Sequence, residues 1–332
     1  MTSLTKPNDF VGVFYPPKFN LTVDSTDTIE VKIMDAEDTL LGTKRLDGSL
    51  EYDINVANYA NRLLDVVPLA AGECGFVVPQ EGRMAQIEVV VDDDDQTSAG
   101  TAIITASRKV MEQQVLLSML PLKREIATNE CDELAFLMPV GTAQAIVTMK
   151  DSNGMFTTLD VYQISNSESR LVSFVVDMAD IATILEEQFS RSIDEYVSFE
   201  VSIGESVLEY EIVSGDSSRK RLCWWNDYGA VDYYSFYESG DSKITAQKYV
   251  VKTEQGYKTE CTEIQTQYEL CSKSMSRSEA EGVSKVIYAQ AVWLVDEDGS
   301  QAVCVDTSYI EQKEDELPTV CIEISQTGLM DS

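Results

Sequence analysis

Histidine is absent from all 332 residues of this chain. It is the side chain that most often moves protons near neutral pH, and it is also the commonest metal ligand. Ser-His-Asp and Cys-His nucleophilic sites are therefore excluded. Catalysis by two carboxylates stays open, but among 57 Asp and Glu residues no pair stands out. Glycine-rich phosphate-binding motifs are also missing, so we predict a non-enzymatic protein with no cofactor.

Basic residues are scarce. The 25 Lys and Arg residues face 57 Asp and Glu residues, which gives a net charge of −32. This charge repels phosphate backbones and no basic patch offsets it, so we expect no nucleic-acid partner. The longest basic run, Arg219–Arg221, is interpreted as part of a linker. Because no apolar run of about 18 residues occurs and the amino terminus lacks signal-peptide features, we expect no membrane span and folding in the cytosol.

Metal sites also lack support. None of the seven cysteines forms a CxxC pair, and in the cytosol we expect reduced, mostly buried thiols. The run Asp92–Asp95 could hold Ca²⁺ or Mg²⁺, but a solvated loop is favoured, because four consecutive carboxylates rarely converge on one point. Segment 296–300 lacks the closing glutamate of an EF-hand loop and is interpreted as a hairpin turn. We therefore predict no metal site.

An internal repeat is the strongest signal of domain organisation. Segments 55–63 and 177–185 each begin with Asn or Asp, which can cap a helix, and continue with apolar residues along one helical face. These apolar residues are Val56, Tyr59, Ala60 and Leu63 in the first copy and Met178, Ile181, Ala182 and Leu185 in the second. Alternating strands flank both helices, at 50–54 and 87–91 and at 172–176 and 199–203.

The repeat predicts a mostly β fold. We expect two tandem duplicated β-sandwich-like domains, each with a short helix, followed by a C-terminal α+β domain. The predicted domains are residues 1–110, 111–216 and 217–332. In the last of these, Ser276 and Glu279 form a capping box that begins a helix, and a hairpin and a final alternating strand follow.

Seven aromatic residues crowd positions 224–237, although aromatics make up only 8% of the chain. Segment 227–229 predicts a turn between two strands, and side chains on the second strand alternate between two faces. Both faces carry aromatics, so we expect the domain core and either another domain or a partner to cover them. Adjacent Trp224 and Trp225 must point to opposite faces, so they cannot form one flat platform for a sugar. The predicted interface residues are Trp224, Trp225, Tyr228, Tyr233, Tyr234 and Phe236.

The segment Trp224–Phe236 resembles a W-x-N-x-x-G-x-x-[DE]-x-[YF]-x-F signature found in uncharacterised structural proteins of phages and prophages from Bacteroidetes-type bacteria. Further elements that resemble this family are segments 177–185, 276–280, 293–294 and 306–308. The resemblance covers most of the chain in architecture. One departure is Gly282, which lies in the predicted helix where the family usually has a longer apolar side chain. The resemblance implies a virion-associated protein of the tail, neck or baseplate.

We therefore expect a virion structural protein that is made and assembled in the host cytoplasm. Its expected partners are other virion proteins and further copies of itself. An alternative is a carbohydrate- or receptor-binding module on the same particle, which would need an open aromatic groove. A hydrolase using two carboxylates is a third hypothesis, and it would need one carboxyl of raised pKa in a cleft.

Overall fold

The computed structural model describes residues 2–24, 27–69, 72–79, 82–93, 96–240, 242–253, 256–296, 299–307 and 317–331. Over these residues the fold is mostly β, as predicted, with several sheets and three short α-helices. No helix in the described part of the chain is long and apolar enough to cross a membrane.

The first β unit, residues 3–105, consists of two sheets packed around one core. A three-stranded sheet has the order β1-β3-β6, and a five-stranded sheet has the order β2-β9-β8-β4-β5. The alternating burial along β4 shows that one face of this strand is turned to the core. The elements are β1 (Ser3–Thr5), β2 (Val11–Gly12), β3 (Lys18–Thr22), β4 (Ile29–Met34), β5 (Leu40–Leu46), β6 (Glu51–Asn55), α1 (Ala57–Leu63), β7 (Gly75–Val77), β8 (Met84–Asp93) and β9 (Gln96–Thr105).

The second β unit, residues 123–213, also has a five-stranded sheet, with the order β10-β16-β15-β12-β13. Its smaller sheet has the order β11-β14-β7, so β7 of the first unit completes a sheet of the second. The elements are β10 (Lys123–Ala127), β11 (Cys131–Met138), β12 (Gly141–Asp151), β13 (Phe156–Asn166), β14 (Arg170–Asp177), α2 (Met178–Phe189), a 3-10 turn (Ile193–Glu195), β15 (Tyr196–Ile203) and β16 (Ser206–Val213).

The C-terminal unit, residues 219–331, contains a seven-stranded sheet with the order β18-β17-β21-β22-β23-β20-β19. A further pairing of β18 with β20 closes the sheet on itself and leaves β19 at its outer edge. The elements are β17 (Arg219–Trp225), β18 (Val231–Glu238), β19 (Lys243–Thr253), β20 (Gly256–Cys271), α3 (Arg277–Val283), a 3-10 turn (Ser284–Tyr288), β21 (Val292–Asp296), β22 (Gly299–Val305) and β23 (Cys321–Asp331).

The predicted helices are present, but the residue that caps one of them differs from the prediction. Asp177 caps α2 by accepting hydrogen bonds from the backbone N–H groups of Ala179 and Asp180, and Ser276 and Glu279 form the predicted capping box of α3. The predicted cap Asn55 is wrong by one position, because Val56 is the N-cap of α1. Asn55 instead accepts from the N–H of Ala57 at 2.9 Å.

The expectation that all thiols are reduced is wrong for one pair. Cys271 and Cys321 lie directly opposite each other on β20 and β23, and they form a disulfide. They are 50 residues apart, so no local pattern signals the bond. Among the described cysteines, Cys304 is exposed, while the other free thiols, Cys74, Cys131 and Cys223, are buried as expected.

The acidic loop after β8 is described only in part. Asp92 is exposed and binds the ammonium of Lys32 at 2.7 Å. Asp94 and Asp95 lie outside the described residues, as do Glu297, Asp298 and Ser308. Within the described residues, no group of three or more Cys, Asp or Glu side chains is placed to hold a metal ion.

Candidate functional site at the junction of the three units

The aromatic strand pair β17–β18 lies where the three units meet. Between the first and second units runs a connector, residues 106–122, which contains the mostly apolar segment 116–121. The turn between β17 and β18 holds this connector through Asn226, whose side-chain amide donates to the carbonyl of Leu117 at 3.0 Å. The amide oxygen of Asn226 accepts from the N–H groups of Tyr228 and Ala230. One buried side chain therefore closes the turn and binds the connector.

Gly229 lets the connector approach the same turn closely. Its φ of +72° lies in the left-handed region, and a Cβ there would be 2.9 Å from the carbonyl carbon of Ala106. Beside it, the N–H of Arg108 donates to the carbonyl of Asp227 at 2.7 Å. Any larger residue at position 229 would push the connector away from the C-terminal unit.

Asp232 binds the next part of the connector. It is buried, and its carboxylate accepts hydrogen bonds from the Ser118 hydroxyl and, at 3.0 Å, from the N–H of Met119. Burial raises the pKa of this carboxyl, and the nearby Arg124 guanidinium opposes that effect. Arg124 also donates to the Ser118 hydroxyl at 2.8 Å. The residues of the aromatic signature that are polar or small, Asn226, Gly229 and Asp232, thus all contact the connector.

The aromatic residues of β17 and β18 divide between two cores, as the alternation predicts. Trp224, Tyr234 and Phe236 pack with α3 in the core of the C-terminal unit. Trp225 and Tyr233 pack on the opposite face against the core of the first β unit. The two tryptophans therefore point to opposite faces, which confirms that they form no common platform.

Burial changes the interpretation of the predicted interface. Trp224, Tyr233 and Phe236 are 0%, 3% and 0% exposed. Their contacts are therefore made within one chain, and these three side chains present no surface to another molecule. Trp225, Tyr228 and Tyr234 are half-buried. For those three residues a contact with another molecule stays a prediction.

Glu130 is the centre of a buried ionic network between the second and C-terminal units. Its carboxylate accepts from the Arg219 guanidinium at 2.8 and 3.0 Å, from Arg221 at 3.2 Å and from the Ser235 hydroxyl at 2.7 Å. The side chains of Arg219 and Arg221 are only 3% and 4% exposed. The interpretation of Arg219–Arg221 as a linker is therefore wrong, because these residues begin β17 and two of them are buried in ion pairs.

Two more carboxylates follow Glu130 along β11. Asp132 accepts from Arg124 at 2.9 Å and from the Tyr210 hydroxyl at 2.8 Å. Glu133 pairs with Arg83 of the first unit, and Arg83 also donates to the carbonyl of Val67 at 2.7 Å. We call Glu130, Asp132 and Glu133 the acidic anchors. All three bind arginines of other units, since Asp132 also lies 3.8 Å from the Arg221 guanidinium, so this short segment joins the second unit to both of its neighbours.

Glu130 should make folding sensitive to acid. Burial opposes ionisation of Glu130, but Arg221 and Arg219 outweigh it and lower the pKa to about 2 from 4.5. A carboxyl with a lowered pKa stabilises the fold above its unfolded pKa, and this stability is lost as pH falls. We expect a loss of roughly 3 kcal/mol in the free energy of unfolding between about pH 4.5 and about pH 2.

The acid effect can be measured by urea unfolding, followed by tryptophan fluorescence, across that pH range. The Glu130→Gln variant is the control, because its amide does not titrate. Its unfolding free energy should fall less with acid than that of the wild type. If the unfolding free energies of the two proteins fell equally with acid, the assignment of the acid effect to Glu130 would be contradicted.

The close approach of the connector to α3 gives a physical reason for glycine at position 282. A Cβ at this position would lie 2.1 Å from the carbonyl oxygen of Met119 in the connector. Alanine favours helices over glycine by about 1 kcal/mol, but so close a contact with backbone requires a shift of α3 or of the connector. We expect Gly282→Ala to lower the free energy of unfolding by about 1–3 kcal/mol in a urea titration.

Glu281 provides a matched control for that substitution, because it is exposed on the same helix. Glu281→Ala should change the unfolding free energy by less than about 0.5 kcal/mol. If Gly282→Ala proved stabilising, the close approach of Met119 to α3 would be contradicted.

A groove of about 220 Å³ opens beside the junction, between β10 and the C-terminal unit. Its lining includes Tyr234, Met275 and Glu125. Glu125 binds the Lys273 ammonium at 2.7 and 2.8 Å, and this hydrogen bond raises the pKa of the lysine. The groove is therefore a cleft with a mixed apolar and polar lining, in which the Lys273 ammonium is already paired and the half-buried Tyr234 ring forms part of the wall.

The sequence did not indicate the acidic anchors or the arginines that pair with them. A weak signal existed, because Asp132 and Glu133 interrupt an apolar strand in which all eight residues are buried. A charge inside such a run requires a partner. The partners, however, are far away in the chain, and only the folded structure identifies them.

No protein-family model matches this chain, and no curated protein matches it. Among solved structures, the BSP domain of a biofilm-associated protein is similar at 13% identity and a TM-score of 0.19, covering 65% of this chain and 30% of that one. A Salmonella alpha-2-macroglobulin mutant is similar at 7% identity and a TM-score of 0.21, covering 94% of this chain and 24% of that one.

The native E. coli alpha-2-macroglobulin is similar at 10% identity and a TM-score of 0.21, covering all of this chain and 20% of that one. The chain thus spans less than a third of the length of each of these structures. Likenesses with TM-scores of this size carry no argument about the role of the chain.

Proposed function

We propose that this chain is a non-enzymatic structural protein of a virus particle, associated with the tail, neck or baseplate. The observation that supports this proposal best is the buried junction, in which the acidic anchors and the connector hold three β units together. Buried ion pairs add little net stability but require one particular geometry. A subunit that must present its contact surfaces in a fixed arrangement would benefit from such a junction.

We further propose that the first and second β units arose by duplication. Their five-stranded sheets share one order of strands, in which the first strand of the sheet pairs in parallel with its last strand in the sequence. In the first unit, α1 follows β6, the last strand of the smaller sheet. In the second unit, α2 follows β14, the last strand that this unit contributes to its smaller sheet. Duplicated units offer the same kind of sheet edge twice, which suits repeated contacts in an assembly.

The proposed function is tested by mass spectrometry of particles purified by density gradient from cells that carry the gene. We expect peptides of this chain to co-sediment with the particles at a constant ratio to the other virion proteins. Disrupting the gene should leave particles that lack a part visible in negative stain. Absence of the chain from intact particles would overturn the proposal.

A carbohydrate- or receptor-binding module on the same particle is the second candidate. It is favoured by one observation, the groove of about 220 Å³ with Tyr234 at its wall. A glycan screen with intrinsic tryptophan fluorescence, repeated with Tyr234→Ala, tests it. Binding that the substitution abolishes would support this role, whereas no response to any glycan would reject it.

A further inference from the structure

Strand β19 forms an exposed edge of the C-terminal unit. In the described sheet it pairs with β20 on one side and is the last strand on the other. Its residues from Lys243 to Lys252 are all exposed, so both faces of the strand are open to solvent. Ile244 is 69% exposed and Val250 is 55% exposed. A long edge strand with exposed apolar side chains is a template for pairing with another chain.

The charge of β19 selects against pairing with itself. The strand carries three lysines, Lys243, Lys248 and Lys252, and no acidic residue, within a chain of net charge −32. Two β19 strands side by side would bring like charges together, which is unfavourable. Lysines on an edge commonly prevent such identical pairing. The same lysines favour an acidic partner, and another copy of this acidic chain can supply one.

Strand β13 of the second unit has the complementary properties. It is an edge strand of its sheet and has 11 residues, the same length as β19. It contains Asp160, which is exposed, and no basic residue. Phe156 and Val161 are also exposed on it. In length and exposed apolar side chains β13 therefore resembles β19, and in charge it is opposite to β19.

We propose that β19 of one copy pairs with β13 of a second copy, so that the two sheets continue across the contact. Backbone hydrogen bonds would supply affinity, and the lysines of β19 with Asp160 of β13 would supply selectivity. The two strands differ, so each copy keeps one open edge after a single contact, and repetition of this head-to-tail contact generates a ring or a filament. This inference deepens the proposed assembly role and rests on it.

The first test is light scattering coupled to size exclusion on the full chain, over a range of concentrations and salt. We expect species larger than a monomer, with association that weakens as salt screens the charges. The β19 variant, with Lys243→Glu, Lys248→Glu and Lys252→Glu, should have a dissociation constant at least about a hundredfold higher. The β13 variant, with Phe156→Lys and Asp160→Lys, should do the same.

A control for net charge reverses three exposed lysines elsewhere, Lys6→Glu, Lys18→Glu and Lys123→Glu, each of which pairs with an exposed carboxylate. It changes the net charge as much as the β19 variant does, and it should associate like the wild type. Circular dichroism of each variant establishes that it is folded.

Mixing the two edge variants gives the sharpest test. Each variant keeps one competent edge, so together they should form a one-to-one dimer that cannot grow further. A wild type that stays monomeric at its highest soluble concentration in low salt would overturn the inference, as would variants that assemble normally or mixtures that remain monomeric. A monomeric chain that is nevertheless found in particles would leave the proposed function intact, and assembly without presence in particles would reject that function alone.

Discussion

Replacing Glu130 with alanine is expected to lower the free energy of unfolding by about 3–5 kcal/mol. The substitution removes the carboxylate that pairs with Arg219 and Arg221, and it leaves two buried guanidinium groups without this partner. An uncompensated buried charge is among the most destabilising changes known for a single residue. Urea unfolding followed by tryptophan fluorescence measures the loss.

Glu209 is the matched control, because it forms an ion pair with Lys123 in which both side chains are exposed. Glu209→Ala should cost less than about 1 kcal/mol, since solvent screens such a pair. Similar losses for the two variants would show that burial of the junction does not govern its energetics. Limited proteolysis of Glu130→Ala should also cut the chain near residues 214–219, where the C-terminal unit joins the second.

Replacing Trp224 with alanine is expected to cost about 3–5 kcal/mol of unfolding free energy. Trp224 is fully buried between β17 and α3, so truncation removes apolar contacts and opens a cavity. Its indole N–H has no hydrogen-bond partner among the described residues. The large side chain therefore contributes through packing alone.

Trp224→Phe separates the two contributions, because it keeps most of the apolar volume and removes the unpaired N–H. It should cost clearly less than the alanine variant in the same urea titration. An equal loss for both variants would indicate that the shape of the indole, rather than apolar burial, decides stability at this position. The half-buried Trp225 offers a second comparison, and its truncation should cost less than that of Trp224.

Local features of this fold were predictable because they depend on neighbouring residues. The helix capped by Asp177, the capping box of Ser276 and Glu279, and the turn that Gly229 allows all follow from short patterns. The alternation that sends Trp224 and Trp225 to opposite faces follows from the geometry of any strand. Each of these features needs only a few consecutive residues.

The predictions that were wrong, and the contacts that were not predicted, involve residues that are far apart in the chain. The disulfide joins cysteines 50 residues apart, and β7 of the first unit completes a sheet of the second. In the sequence, Arg219 and Arg221 resemble a solvated basic run. In the structure, both are buried and pair with the carboxylate of Glu130. The aromatic signature looked like a contact surface, whereas half of its predicted interface residues are buried within the chain.

The sequence by itself determined the mostly β character, the absence of histidine, the places of the short helices and the two-faced aromatic strand. The tertiary structure decided which charges are buried, which thiols are bonded and which strand edges stay open. The physical reason is that periodicity and capping are local properties of the backbone. Burial of a charge, in contrast, depends on a partner whose position is set only when the whole chain has folded.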